Sequence, residues 1–111
     1  MEKKIILWDK PRDLRYDFNA FCDFEAAAGF AFTNLDINKL GLTEIRILIW
    51  AGLKHDNPKI SFTEVGEIIN NTLNAPDTKN TFETICQDIN AAIKLSGVFK
   101  TDDTGDPDTK K

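Results

Sequence analysis

One stretch of the chain would form a helix with apolar residues on every side, and this stretch constrains the fold more than any other feature. It lies between Thr43 and His55 and contains Ile45, Ile47, Leu48, Ile49, Trp50, Ala51 and Leu53. A helix of this kind is buried either in a core or in a membrane. The run is much shorter than the roughly 20 residues that span a bilayer, and Arg46 interrupts it. The sequence therefore predicts a central helix over residues 43–55, capped by Thr43, which the rest of the chain covers.

Charge and length narrow the function classes. The 111 residues suffice for one domain, and the net charge of −4 argues against nucleic-acid binding, which needs clustered Lys and Arg. The basic pairs Lys3-Lys4 and Lys110-Lys111 are too small for a membrane anchor. The apolar run from Ile5 to Trp8 is too short for a signal peptide. We expect a cytosolic protein that binds neither nucleic acid nor membrane.

The N-terminal segment has the pattern of a β-hairpin. A β-type run from Ile5 to Trp8 is followed by a polar turn over residues 9–13. Leu14, Tyr16 and Phe18 then alternate with charged residues, as in a half-buried strand. The sequence predicts a two-stranded hairpin over about residues 3–17, which must pack on a helix to be stable.

Caps and apolar periodicity predict the remaining helices. Asp17 and Gly29 bracket a helix over residues 18–28, and Ser61 with Glu64 forms a capping box for a helix over 62–74. Asn80 opens a similar box for a helix over 81–96, and a short helical turn is expected over 36–40. The predicted fold is mainly α (α+β), a short N-terminal hairpin packed on four to five helices. We expect residues 1–99 to form a single compact domain and residues 100–111 to form a disordered acidic tail.

Two cysteines lie on predicted apolar helix faces. Cys22 and Cys86 are far apart in sequence and neither has a CxxC partner. A disulfide between them stays open, but two buried free thiols fit a cytosolic protein better. With one histidine in the chain, His55, the ligands for a zinc site are missing.

The polar residues that could carry catalysis have simpler structural explanations. Asp9, Asp13 and Asp17 fit a turn and a helix cap, and His55-Asp56 fits a helix C-terminus followed by a turn. A histidine beside an aspartate could also be a general base with its orienting partner. No nucleophile or phosphate-binding glycine loop accompanies them. We therefore expect no catalytic, cofactor-binding or metal site, and no enzymatic activity.

Two charges fall among apolar neighbours on the helical wheels. Glu25 lies between the stripes of the first helix, and Arg46 lies on the central helix. A single buried charge would cost several kcal/mol, so we expect the two to pair or each to bind a helix end. The alternative for Arg46 is that its guanidinium extends along the surface to water.

The loop that follows the first helix is the best candidate for exposed apolar surface. It contains Phe30 and Phe32, which would indicate a partner site if both rings were exposed. Rings in such loops more often pack into the core. Phe30, Phe32 and Trp50 are the candidate partner contacts, although Trp50 fits the core better.

The order of features resembles that of a phage protein family. The segments Asp17-Phe18-Asn19-Ala20-Phe21, Leu42-Thr43-Glu44-Ile45-Arg46, Leu48-Ile49-Trp50-Ala51-Gly52-Leu53, Asp56-Asn57-Pro58 and Phe62-Thr63-Glu64-Val65-Gly66 occur in sequence. In this arrangement the chain resembles the tail assembly chaperones of long-tailed bacteriophages and related gene-transfer-agent proteins. The likeness covers about residues 5–73, and its motifs are apolar runs and caps rather than catalytic residues.

The resemblance implies a non-enzymatic function in virion morphogenesis. Such chaperones bind and solubilise the long helical tape measure protein in the host cytoplasm until tail tube protein polymerises around it. They are absent from the mature virion, can form homo-oligomers, and often have a longer frameshifted form. Two other interpretations stay open: a structural tail or connector subunit retained in the virion, and a small cytosolic adaptor.

Overall fold

The computed structural model describes residues 4–32, 36–76 and 79–96. Its elements are β1 (Lys4–Leu7), β2 (Pro11–Leu14), α1 (Phe18–Ala28), α2 (Leu42–Leu53), α3 (Phe62–Asn74) and α4 (Phe82–Leu95), with one 3-10 turn over Ile37–Lys39. This confirms the predicted fold class, a mainly α protein with an N-terminal hairpin. The end of the predicted domain, residues 97–99, and the predicted tail over residues 100–111 lie outside the described residues.

Helix α2 is the centre of the structure, as its all-round apolar sequence predicts. Ile45, Leu48 and Ile49 are almost completely buried. The other three helices and β2 all pack against α2. Each large apolar side chain buried in this way contributes roughly 1.5–3 kcal/mol to stability. Burial of α2 therefore organises the whole domain.

Two helices begin and end where their caps predict. The Asp17 carboxylate accepts a hydrogen bond from the Ala20 N–H at 2.8 Å, and α1 ends at Gly29, whose φ of 87° is left-handed. At α3, the Ser61 hydroxyl accepts from the Glu64 N–H while the Glu64 carboxylate accepts from the Ser61 N–H. Both patterns satisfy backbone donors that a helix start leaves free.

The predicted N-cap residues of α2 and α4 are wrong, each by one or two positions along the chain. Gly41, not Thr43, precedes α2, and the Glu44 carboxylate accepts from the Gly41 N–H at 3.0 Å. Since glycine has no side chain, only this one of the two hydrogen bonds of a capping box can form. Helix α4 is capped by Thr81 rather than Asn80. The Asn80 amide instead donates to the Leu7 carbonyl at 2.9 Å, a long-range contact that local sequence does not encode.

The hairpin is antiparallel, with Lys4 opposite Leu14 and Leu7 opposite Pro11. Leu14 and Tyr16 are buried as the alternation predicts. Phe18 is an exception: it is the first residue of α1 and is 68% exposed. The Asp17 cap changes the backbone from extended to helical at that point, so the two-residue period ends there.

Hydrogen bonds attach the hairpin to the helices. The buried Tyr16 hydroxyl donates to the Leu48 carbonyl at 2.7 Å, and the Arg15 N–H donates to the Gly52 carbonyl at 2.9 Å. Next to β1, in the turn between the two strands, the Trp8 indole donates to the Asp88 carboxylate of α4 at 3.0 Å. A two-stranded hairpin is marginal alone, and these bonds supply the support it needs.

Both cysteines are free thiols. The expectation that both are buried is wrong for Cys22, which is exposed because α1 turns Ala20, Phe21 and Phe24 inward. Cys86 is half-buried, and burial, with a smaller effect from the nearby Glu83 carboxylate, raises the pKa of its thiol.

Candidate functional site

The surface feature best suited to binding is an apolar groove between the start of α2, the length of α3 and the start of α4. It encloses about 410 Å³. We call it the α2–α3 groove, and its lining residues are Leu42, Thr43, Ile45, Arg46, Gly66, Ile69, Asn70, Leu73 and Phe82. Most of these side chains are apolar and Arg46 is the single charge among them. Such a composition is typical of sites that hold an apolar ligand in a fixed orientation.

The groove exists because α3 buries only one of its two apolar stripes. Val65, Ile68 and Thr72 face the core and are buried. Ile69 and Leu73 follow Ile68 and Thr72 on the same helix. Those two side chains are only half-buried and line the groove. Helix α3 therefore has a buried core face and, beside it, a half-buried apolar face that lines the groove.

Large apolar residues at the starts of helices extend this face. Leu42 is 74% exposed, and Phe62 and Phe82 are 38% and 37% exposed. Each occupies the first position of its helix, where the side chain lies at the rim of the domain. Leu42 and Phe82 line the groove directly. Contiguous apolar surface of this kind commonly marks an interaction site.

Arg46 lies at the edge of the groove beside an aromatic ring. Its guanidinium carbon is 5.9 Å from the centre of the Phe62 ring, a cation–π distance. Its Nε is buried and has no hydrogen-bond partner. Within residues 4–32, 36–76 and 79–96, Arg46 forms no ion pair. The guanidinium thus has unused hydrogen-bonding capacity.

The expected pairing of Arg46 with Glu25 is wrong. The Glu25 carboxylate accepts a hydrogen bond from the Phe32 N–H at 2.7 Å, and the residue is exposed. Its place between the stripes of α1 allows it to reach the loop that returns over this helix. Glu25 therefore anchors the loop and does not neutralise a charge on α2.

That loop does not supply the partner surface suggested by its two aromatic rings. Phe32 is buried, 4.3 Å from the centre of the Phe21 ring. Phe30 is half-buried and packs edge-on against Phe24 at 5.6 Å. The condition for a partner site, exposure of both rings, is not met. The Glu25 bond folds the loop inward and adds its rings to the core.

Trp50 is half-buried at the junction of α2 and α3. Its indole donates to the Ile60 carbonyl at 3.0 Å, and its ring lies 4.9 Å from that of Phe62. The Lys54 ammonium stands 4.6 Å above the same ring. Trp50 therefore supports Phe62 beside the α2–α3 groove and is not one of the residues that line it.

The polar residues considered for catalysis all hold structural positions. Asp9 forms a bidentate hydrogen-bonded ion pair with Arg12, and Asp17 caps α1. The His55 Nε2 lies 2.8 Å from the carbonyl oxygen of Asp13. His55, which follows the end of α2, thus contacts the hairpin.

In the described ranges, no three His, Cys, Asp or Glu side chains come together as ligands for a metal ion. In the part of the chain that the structure describes, no helix has both the length and the apolar content to cross a bilayer.

Comparison with known proteins gives no relative for this site. No family model, no curated protein and no solved structure matches the chain. Sequence reasoning identified Arg46 but missed Leu42, Ile69, Leu73 and Phe82 as surface residues. The available signal was the surplus of apolar residues on α3 and at the helix starts, beyond what one buried stripe uses.

Proposed function

We propose that this protein is a non-enzymatic tail assembly chaperone of a long-tailed bacteriophage, which binds and solubilises the tape measure protein during tail morphogenesis. The observation that carries the proposal is the α2–α3 groove, an open apolar surface on a domain whose core is otherwise complete. The sequence resemblance supplies the class of partner. The groove supplies a physical means of binding it.

The chemistry of the groove suits a long helical protein. A tape measure protein exposes apolar helical stripes before the tail tube encloses it, and such stripes aggregate in water. Amphipathic helices bind by laying their apolar face into a hydrophobic groove. The chaperone's own net charge of −4 would keep the complex in solution.

The proposal places the protein in the host cytoplasm during assembly and outside the mature virion. Binding must be reversible, because tail tube protein replaces the chaperone along the tape measure protein. A single groove of this size fits that requirement, since small interfaces dissociate readily. Several copies, alone or as a homo-oligomer, would coat one partner chain.

The test is co-expression with the large protein encoded immediately downstream. We expect the partner to be insoluble alone and soluble with the wild-type chaperone. Leu42→Glu places a charge on the groove at a position 74% exposed, so folding is preserved and solubilisation is lost. Leu7→Glu is the matched control, because Leu7 is 71% exposed on β1, away from the groove.

Two results would contradict the proposal. In the first, the downstream protein stays insoluble and does not bind this chain on co-expression. That result would exclude the chaperone function and would favour a small adaptor with another partner. Mass spectrometry of purified particles gives the second test. Stoichiometric presence of this chain in the virion would make it a structural tail or connector subunit.

A further inference from the structure

We propose that the α2–α3 groove binds one amphipathic helix of the partner, with Gly66 at the point of closest approach and Arg46 holding a carboxylate beside the partner's apolar stripe. This rests on the proposed function for the helical nature of the partner. It adds the recognition rule: the bound segment is apolar on one face and acidic at the edge of that face.

Gly66 is the first observation that points to an incoming helix. It lies inside α3, where glycine is less favourable than alanine. Its φ is not positive, since Gly29 is the one described glycine with a positive φ, so Gly66 has no conformational need to be glycine. A Cβ placed on Gly66 would meet no atom within 4 Å. Packing within the chain therefore does not require glycine here either.

The space above Gly66 belongs to the groove. Gly66 is a lining residue, so its missing side chain leaves open space where a second backbone can approach α3 closely. Gly52 is the contrast within the same protein. A Cβ there would come within 2.7 Å of Tyr16, so that glycine is explained by internal packing. An external contact is the explanation left for Gly66.

The spacing of the lining residues sets the length of the bound segment. Gly66, Ile69 and Leu73 recur at i, i+3 and i+7 along α3. At 1.5 Å per residue this face is about 10 Å long, or about two helical turns. A partner helix would contact it through apolar residues with the same spacing.

Arg46 determines the polar part of the recognition rule. It is the only charged residue among those that line the groove, and within the described residues it forms no ion pair. Two neighbouring carboxylates, Glu44 and Glu64, are already hydrogen-bonded to backbone N–H groups at 3.0 and 2.8 Å. A guanidinium binds a carboxylate through two parallel hydrogen bonds. A partner carboxylate therefore fits this edge, and a partner lysine would be repelled.

The experiment uses the full-length protein and two synthetic helical peptides of about 18 residues. Both carry leucines at i, i+3, i+4 and i+7, and they differ by a Glu or a Lys at the edge of the stripe. Fluorescence anisotropy should show the Glu peptide binding about fivefold more tightly than the Lys peptide. Arg46→Met should abolish this preference, because it removes the guanidinium and keeps much of the side-chain length.

A plug in the groove tests the same proposal by a separate route. Gly66→Leu fills the open space and should weaken both peptides by at least about tenfold while circular dichroism shows an intact fold. Asn71→Leu is the matched control, since Asn71 is an exposed residue of α3 that does not line the groove. It should leave both affinities unchanged. If Gly66→Leu does not fold, the Arg46→Met comparison still decides the charge rule.

Three outcomes of the peptide-binding and oligomer measurements would overturn the inference. One is equal wild-type affinity for the two peptides, and another is unchanged binding by folded Gly66→Leu. The third is a wild-type dimer that Gly66→Leu converts to a monomer, which would make a second copy of this chain the occupant.

If wild type and Gly66→Leu solubilise the tape measure protein equally, the groove assignment fails and the chaperone function stands. If the peptide results hold but the tape measure protein is not captured, the chaperone function fails.

Discussion

Two helical glycines should respond to alanine in opposite directions, and this contrast tests the packing of the domain. At Gly52, an added Cβ would lie 2.7 Å from Tyr16 Cζ and 2.9 Å from Leu14 Cδ2. At Gly66, it would meet no atom within 4 Å. The same substitution thus adds a clash at one position and only helix propensity at the other.

The magnitudes follow from these distances. Overpacking a core costs about 1–3 kcal/mol, and Gly→Ala in a helix gains about 0.5–1 kcal/mol. We expect Gly52→Ala to lower the free energy of unfolding by about 1–2 kcal/mol, and Gly66→Ala to raise it by about 0.5–1 kcal/mol. For a domain of this size, the melting temperature should fall by about 5–10 °C in the first variant and rise by about 3–6 °C in the second.

Thermal and urea unfolding followed by circular dichroism measure both changes. The double variant Gly52→Ala/Tyr16→Phe should lose less stability than the sum of the two single losses, because Tyr16→Phe removes the phenol oxygen that lies 2.8 Å from the added Cβ. A Gly52→Ala variant as stable as Gly66→Ala would refute the reasoning. It would mean that Tyr16 does not pack on the end of α2 and that the hairpin is placed differently.

Three further variants or reactions probe titratable groups. Ellman's reagent should modify the exposed Cys22 first, because burial raises the pKa of the Cys86 thiol and limits access; equal rates would contradict the burial of Cys86. Despite opposing burial, hydrogen bonding and charge attraction from Arg12 lower the pKa of Asp9 below its ordinary 3.8, so Asp9→Asn should cost about 0.5–1 kcal/mol at pH 7. Urea titrations should show that this difference in the free energy of unfolding disappears below about pH 3.8, because protonation of Asp9 removes the ion pair from the wild type. A difference that does not change with pH would exclude the ion pair as its source. Burial raises the pKa of Tyr16 above its ordinary 10.0, so the wild type loses stability above about pH 10. Tyr16→Phe should lower the free energy of unfolding by about 1 kcal/mol at pH 7. This difference from the wild type should become smaller above about pH 10; a difference that does not change with pH would mean that the phenol ionises freely in the folded protein.

Much of the fold could be predicted because its signals are local. The caps at Asp17 and Ser61 and the left-handed Gly29 satisfy backbone groups within a few residues, so the sequence contains the whole interaction. The all-apolar run of α2 likewise has one stable environment, the core. The misplaced cap at α4 shows the limit of this reasoning, because the Asn80 side chain forms a tertiary bond with the Leu7 carbonyl.

The α2–α3 groove was less predictable because it depends on how the helices pack against each other. The sequence shows that α3 carries more apolar residues than one stripe requires, but only the packing of α2 and α4 determines which stripe stays outside. The same limit explains Phe32, whose burial comes from packing against the Phe21 and Phe24 rings of α1. Arg46 was identified as unusual from its apolar neighbours, whereas its place at the groove required the structure.

Hydrogen exchange on the purified complex with the tape measure protein tests the central claim most directly. If the groove is the binding surface, amides over residues 42–46 and 66–73 should exchange more slowly in the complex than in the free protein. Amides of α1 and the hairpin should be unchanged. Protection confined to β1 and β2, with α3 exchanging as in the free protein, would place the partner elsewhere and contradict the account.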